Sequence, residues 1–122
     1  MAAGYRVRGG ALPGESDKNL DGIVKKVKID RFDITDRADC KAAIGKDRPD
    51  YVFHLAAVSS VGQSVDKGVE TFTINVIGTQ NVLEAVRGKN WLKKILFTSS
   101  SDVYGPIKPE NLPLKPNNLF NP

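Results

Sequence analysis

The chain has 122 residues, a formal net charge of +4, 40% hydrophobic and 26% charged residues, and one cysteine, Cys40. That length holds a single domain. No apolar run approaches the roughly 20 residues that cross a bilayer, and no helix carries a dense basic stripe with interleaved aromatics, so membrane and nucleic-acid partners are excluded. One thiol makes no internal disulfide and forms no metal set with the lone His54, so no metal is expected and a reducing cytoplasm is the expected compartment.

In chain order, residues 5–8 (Tyr-Arg-Val-Arg) read as a short strand, followed by a breaker region over 9–14 that holds Gly9, Gly10, Pro13 and Gly14. Residues 24–29, which mix β-branched residues with lysine, read as a second strand. Residues 36–44 read as a helix with Asp36 at its N-cap. Cys40 lies in that helical pattern and reads as a small buried side chain, not a nucleophile. The apolar run 51–55 follows Arg48-Pro49-Asp50 and reads as a strand buried on both faces, as in a parallel sheet. A long helix is predicted over 64–86: Val69, Phe72, Val76, Leu83 and Val86 follow a period of about 3.6 residues, and Gly88 ends it. Residues 95–97 form the next predicted strand. The stretch 106–122 carries five prolines and four asparagines and reads as a loop or extended lid. Strands alternating with helices give an α/β class with a parallel sheet.

Four features carry chemistry. The glycines of 4–14 include no G-x-G-x-x-G and no following Lys-Ser or Lys-Thr, so no phosphate-cradling loop is present and a plain turn is the better reading. Ala56 and Ala57, at the end of the apolar run, either leave room for a flat ring above the strand or are small core residues. His54, between Phe53 and Leu55, reads as a satisfied core histidine before a base or ligand. Ser99, Ser100, Ser101 and Asp102 follow a predicted strand, where open parallel sheets bind ligands. Their hydroxyls and carboxylate either serve acid/base chemistry or cap the next segment. Lys25, Lys26, Lys28, Lys93 and Lys94 would draw an anion such as a pyrophosphate, but solubilising strand ends is the preferred reading.

His54-Leu55-Ala56-Ala57, Asn75-Val76-Ile77-Gly78-Thr79 and 98–105 (Thr-Ser-Ser-Ser-Asp-Val-Tyr-Gly), with 33–36 (Asp-Ile-Thr-Asp) ahead of them, resemble the NAD(P)-dependent epimerase/dehydratase family, the extended short-chain dehydrogenase/reductases. The nearest flavour resembles GDP-mannose 4,6-dehydratases and 4-keto-sugar reductases, with UDP-glucose 4-epimerase a close second. The resemblance implies a partial Rossmann-like, doubly wound sheet over 1–105, with 106–122 as a tail, and NAD or NADP as cofactor. It implies a GDP- or UDP-linked sugar as substrate. Asp33 would accept from the adenine amino group, with Ile34 against the ring. Ala56 and Ala57 would line the cofactor's path, with Asn75 supporting the site from below. Ser59 and Ser101 would lie toward the sugar nucleotide, and Ser100 would bind the sugar 4-oxygen. Asp102 stands where dehydratases carry an acid/base glutamate, and its shorter reach counts against dehydration. Gly68 replaces a proline the family often has.

The family also has a first strand with a Gly-rich turn and a Tyr-x-x-x-Lys pair, and this sequence shows neither in usable form. Tyr104 and Lys108 have the spacing, but Gly105 and Pro106 break any helix between them. In the family the true tyrosine would follow Asn121-Pro122. The expectation is therefore an internal fragment, inactive alone, beginning at the fold's second strand. The alternatives are half of a split enzyme and a non-catalytic binding or oligomerisation module. In the sheet order 3-2-1-4-5 the strands near Tyr5 and Tyr51 would then lack their shared neighbour. Open edges and uncovered apolar helix faces would follow, with self-association or a complementing polypeptide.

Overall fold

The computed structural model describes residues 4–23 and 26–122, with the side chains of Val61 and Gln63 set aside. Strand β1 spans Arg8–Ala11 and pairs in parallel with β2, Lys28–Arg31, in the register Arg8↔Lys28 to Ala11↔Arg31. The predicted first strand thus begins three residues late, at Arg8, and runs on through Gly9, Gly10 and Ala11 of the expected breaker region. Glycine is used here because neighbouring side chains fill the space over it: a Cβ on Gly9 would sit 2.7 Å from Ile29 Cδ1, and one on Gly10 2.6 Å from the Phe32 ring. The predicted second strand also shifts, to Lys28–Arg31, and its Val24 and Lys25 lie outside the described residues. Lys26 and Val27 are held in turns instead, donating to the Ile23 carbonyl at 2.8 and 3.1 Å, so their N–H groups are taken before the ladder starts.

Helix α1 spans Arg37–Gly45, and the Asp36 side chain accepts from the N–H of Ala38 and Asp39 at 2.8 and 2.9 Å, the expected N-cap. Strand β3, Tyr51–His54, pairs in parallel with β4, Lys94–Phe97. Between them the predicted long helix is three pieces, α2 (Val61–Asp66), α3 (Gly68–Phe72) and α4 (Thr79–Val86), the last two joined by a π-helical segment, Thr73–Gly78. The interruption falls at Lys67, whose ψ of 48° leaves the helical region. Gly88 takes φ 65° just beyond α4, as a helix stop requires. No described helix is long and apolar enough to cross a membrane.

Among the described residues the strands form two separate two-stranded parallel sheets, β1 with β2 and β3 with β4, and no ladder joins β1 to β3. That matches the separation expected between the strands near Tyr5 and Tyr51. Helices α1 and α4 pack on each other through Cys40, Val82 and Ala85, and Phe32, Ile34, Ile44, Val52 and Ile95 pack around them. Cys40 is fully buried, and burial pushes its thiol up to about 11, so it is a core side chain and not a nucleophile. The expectation that β3 is buried on both faces is corrected. Val52 and His54 face the helices, whereas Tyr51 is 48% and Phe53 66% exposed, since only one face of this half-sheet is covered. Leu96, Val69, Phe72 and Val76 are exposed as well.

Candidate active site at the strand ends

Strands β3 and β4 end together: His54 pairs with Phe97, and the Thr98 N–H donates to the His54 carbonyl at 3.3 Å. The segments 55–60 and 98–102 therefore leave the sheet from adjacent points, both at carboxyl ends, where parallel sheets place ligands. Ala56, Ala57 and Ser59 are exposed on the first segment, and Ser99, Ser100, Ser101 and Asp102 on the second.

The first segment is held from the helix. The Asn75 carboxamide accepts from the Val58 N–H at 2.8 Å and donates to the Val58 carbonyl at 3.0 Å, pairing with that residue as a neighbouring strand would. A parallel device holds the turn after β2. Asn81, buried on α4, donates to the carbonyls of Ile34 and Thr35 at 2.9 and 3.1 Å. Ile34 is packed into the helix junction, where a Cβ on Gly78 would lie 2.6 Å from its Cδ1. Asp33 Oδ1 accepts from both the N–H and the hydroxyl of Thr35 at 2.8 Å, a local turn that fixes the carboxylate.

The second segment caps itself. Ser100 is the N-cap of a single 3₁₀ turn, Ser101–Tyr104, and its hydroxyl oxygen accepts from the Asp102 N–H at 3.2 Å. Both readings of this cluster are thus compatible, since an oxygen that accepts in a cap still has its own proton to donate. The chain then folds back on itself. The Asn121 N–H donates to the Val103 carbonyl at 2.9 Å, and the Phe120 ring meets Tyr104 edge-on at 5.3 Å. Gly105, at φ 69°, lies against the Asn121 carbonyl where no side chain fits. The stretch 106–122 holds one short 3₁₀ turn, Pro109–Asn111, and is otherwise irregular, as expected. No helix links Tyr104 to Lys108, whose backbone is extended, so this pair is not a Tyr-Lys dyad.

The structure thus brings Asn75 together with the Ala56–Ser59 segment, and sets the serine cluster beside that segment at the same sheet edge. Asp33 and Ile34 sit at the neighbouring strand end, held by the same helix. Arg8 lies at the opposite, amino end of β1, in ion pairs with Asp30 and Asp47; its guanidinium holds the Asp30 carboxyl below the usual range. Thr79 closes the Asn75–Thr79 motif but is given no role by the sequence, and Asn81 is not marked by it at all. Polar helix residues read as surface, and only the loops they hold show otherwise. His54 is buried as expected, with its Nε2 2.9 Å from the Thr79 hydroxyl and the Phe97 ring 5.7 Å away. Among the described residues no group of His, Cys, Asp and Glu could hold a metal.

Residues 11–122 match the family described as GDP-mannose 4,6 dehydratase. Among curated relatives, the UDP-glucose 4-epimerase of Mycoplasma genitalium is 39% identical over 96 residues, covering 77% of this chain and 28% of the relative. UDP-glucose 4-epimerase 2 of Oryza sativa is 36% identical over 114 residues, covering 90% and 26%. The chain therefore spans about a quarter of the relatives it matches. The crystal structure of the Thermus thermophilus UDP-glucose 4-epimerase complex with NAD superposes with a TM-score of 0.82 at 30% identity, covering 99% of this chain and 38% of that one. The Bifidobacterium longum enzyme, in complex with NAD+ and UDP, gives 0.78 at 30%, covering 97% and 36%.

Proposed function

This chain belongs to the NAD-dependent epimerase/dehydratase family of Rossmann-fold enzymes, and on that premise we propose that it forms the strand-end portion of a nucleotide-sugar 4-epimerase site. The carrying observation is the common exit of the Ala56–Ser59 and Ser99–Ser101 segments from the paired ends of β3 and β4. Epimerase is preferred to dehydratase because the curated relatives carry that name, and because Asp102 is short for an acid/base role at a distant carbon.

The residues fit the cofactor. Ala56 and Ala57 are exposed and project only methyl groups, so a flat ring can lie against the strand end. Asp33 keeps an acceptor oxygen for an adenine amino group, while Ile34, expected against the adenine ring, packs instead toward Gly78 and the core and backs the turn from the helix side. When bound, NAD would take a hydride from sugar C4 and return it. Ser100 would donate its hydroxyl proton to the sugar 4-oxygen while its oxygen stays in the cap. Ser59 and Ser101 would contact the sugar nucleotide, a UDP-sugar by analogy with the relatives. Asn75 holds the cofactor-facing segment in place. NAD is preferred to NADP because Arg8, a cation that could meet a 2′-phosphate, is instead paired with Asp30 and Asp47 at the amino end of β1.

Residues 1–105 form the partial cofactor-binding unit and 106–122 its tail, in a cytoplasmic protein. On this reading residues 1–122 do not turn over substrate by themselves, since their sequence has no Gly-rich phosphate loop and no helix joins Tyr104 to Lys108. The exposed Phe53, Leu96, Val69 and Phe72 favour a cover, by self-association or by a complementing polypeptide. The test supplies that polypeptide, carrying a Gly-rich strand and a Tyr-x-x-x-Lys helix, together with NAD and UDP-glucose. Conversion to the 4-epimer is expected only in the mixture, and Ser100→Ala should slow it by about 10²-fold or more. Turnover by this chain alone, or a mixture indifferent to Ser100→Ala, would refute the proposal.

A further inference from the structure

His54 is buried with 5% of its surface exposed and has no part in the chemistry above. Among the described residues its polar contact is with Thr79, which bonds in turn to Asn75, a residue that does. Thr79 Oγ1 lies 2.6 Å from the Asn75 carbonyl oxygen and 2.9 Å from His54 Nε2. A hydroxyl has one proton, and a carbonyl can only accept, so that proton goes to Asn75. Thr79 must then accept from the imidazole, which places the ring proton on Nε2 and leaves Nδ1 bare. The bonds run in one direction, from His54 Nε2–H to the Thr79 oxygen and from the Thr79 hydroxyl to the Asn75 carbonyl. Beyond that carbonyl, the Asn75 side chain makes both of its bonds to Val58.

The site of this relay has a structural reason. Thr73–Gly78 is π-helical, so its turns are wider than an α-helix and its carbonyls are offset from their usual donors. Thr79, bonding back four residues, adds a donor at the Asn75 carbonyl. The backbone from which the Asn75 carboxamide projects is thereby tied to the buried ring in β3. Burial lowers the His54 pKa, which favours the neutral ring this arrangement needs.

We infer that His54 and Thr79 are positioning residues: through Asn75 they fix the Val58 backbone, and with it the Ala56–Ser59 segment, in the conformation the nucleotide cofactor meets. The inference rests on the reading of that segment as a cofactor edge, but its test is ligand-free. A failed turnover assay would sink that reading and leave this result intact.

The experiment is nuclear magnetic resonance on the ¹⁵N-labelled full chain. In the unaltered protein the His54 ring should carry its proton on Nε2; a proton on Nδ1 alone, or on both nitrogens at neutral pH, overturns the assignment. Thr79→Val should speed exchange of the Val58 amide about threefold to tenfold while the Leu96 amide in β4 is unchanged, and Thr79→Ser should restore protection. A uniform loss of protection in folded Thr79→Val, or none at Val58, overturns the positioning role. Should Thr79→Val not fold, Thr79→Ser decides with the ring tautomer: native Val58 protection and a proton on Nε2 support the relay, and the loss of either refutes it.

Discussion

The segments after β2 and β3 are braced by residues of one helical run, Asn81 and Asn75, whereas the segment after β4 holds itself with a serine cap and leans on the chain's own tail. The braced segments present the Asp33 carboxylate, the Ala56 and Ala57 methyl groups and Ser59, and the self-held one presents a run of three serine hydroxyls ahead of Asp102. The contrast separates two tasks. A surface against which a large flat ligand lies must be rigid, since each misplaced contact costs binding. A hydroxyl that follows a reacting oxygen needs only its cap and rotational freedom about one bond.

The largest expected effect comes from breaking a brace outright. Asn75→Leu leaves the Val58 N–H and carbonyl without their partner in a half-buried setting, which should cost about 2–3 kcal/mol in urea unfolding. An unchanged midpoint would show that water replaces the side chain and that the brace is not structural. Gly78→Ala should come next. Its added methyl meets Ile34 at 2.6 Å, in a junction that must shift the turn after β2, for about 1–2 kcal/mol. A neutral result would mean that Ile34 has room to turn away.

The smallest effect sharpens the comparison through pH. His54 is the only histidine, and its pKa is lowered by burial. The unfolded chain therefore binds the proton more readily than the folded one, so stability is full above the unfolded value of about 6.5 and falls as pH drops from there toward the folded value. The urea midpoint at pH 5.5 should lie below that at pH 7.5, and His54→Gln should reduce the difference. An equal or higher midpoint at pH 5.5 would contradict a buried neutral ring.

Much of this was legible in the sequence. The Asp36 cap, the paired strands near Tyr51 and Ile95, the buried roles of Cys40 and His54 and the irregular tail follow from local pattern alone. The family motifs marked Asn75 and Ser100. What stayed hidden depends on partners distant in the chain. Gly9 and Gly10 read as breakers until Ile29 and Phe32 fill the space above them. Asn81 reads as an ordinary helix polar residue until the turn after β2 arrives, and Thr79 as a motif residue without a role until His54 lies beside it. The outward faces of Tyr51 and Phe53 read as core, because an apolar run does not say how many layers cover it.

The most direct measurement of the central claim is a crystal structure of the chain together with NAD, UDP and a supplied polypeptide that carries a Gly-rich strand and a Tyr-x-x-x-Lys helix. NAD is predicted to lie across Ala56 and Ala57, with its adenine near Asp33 and its nicotinamide facing Ser100. A cofactor bound at the amino ends of the strands, or one making no contact with the Ala56–Ser59 segment, would contradict the account.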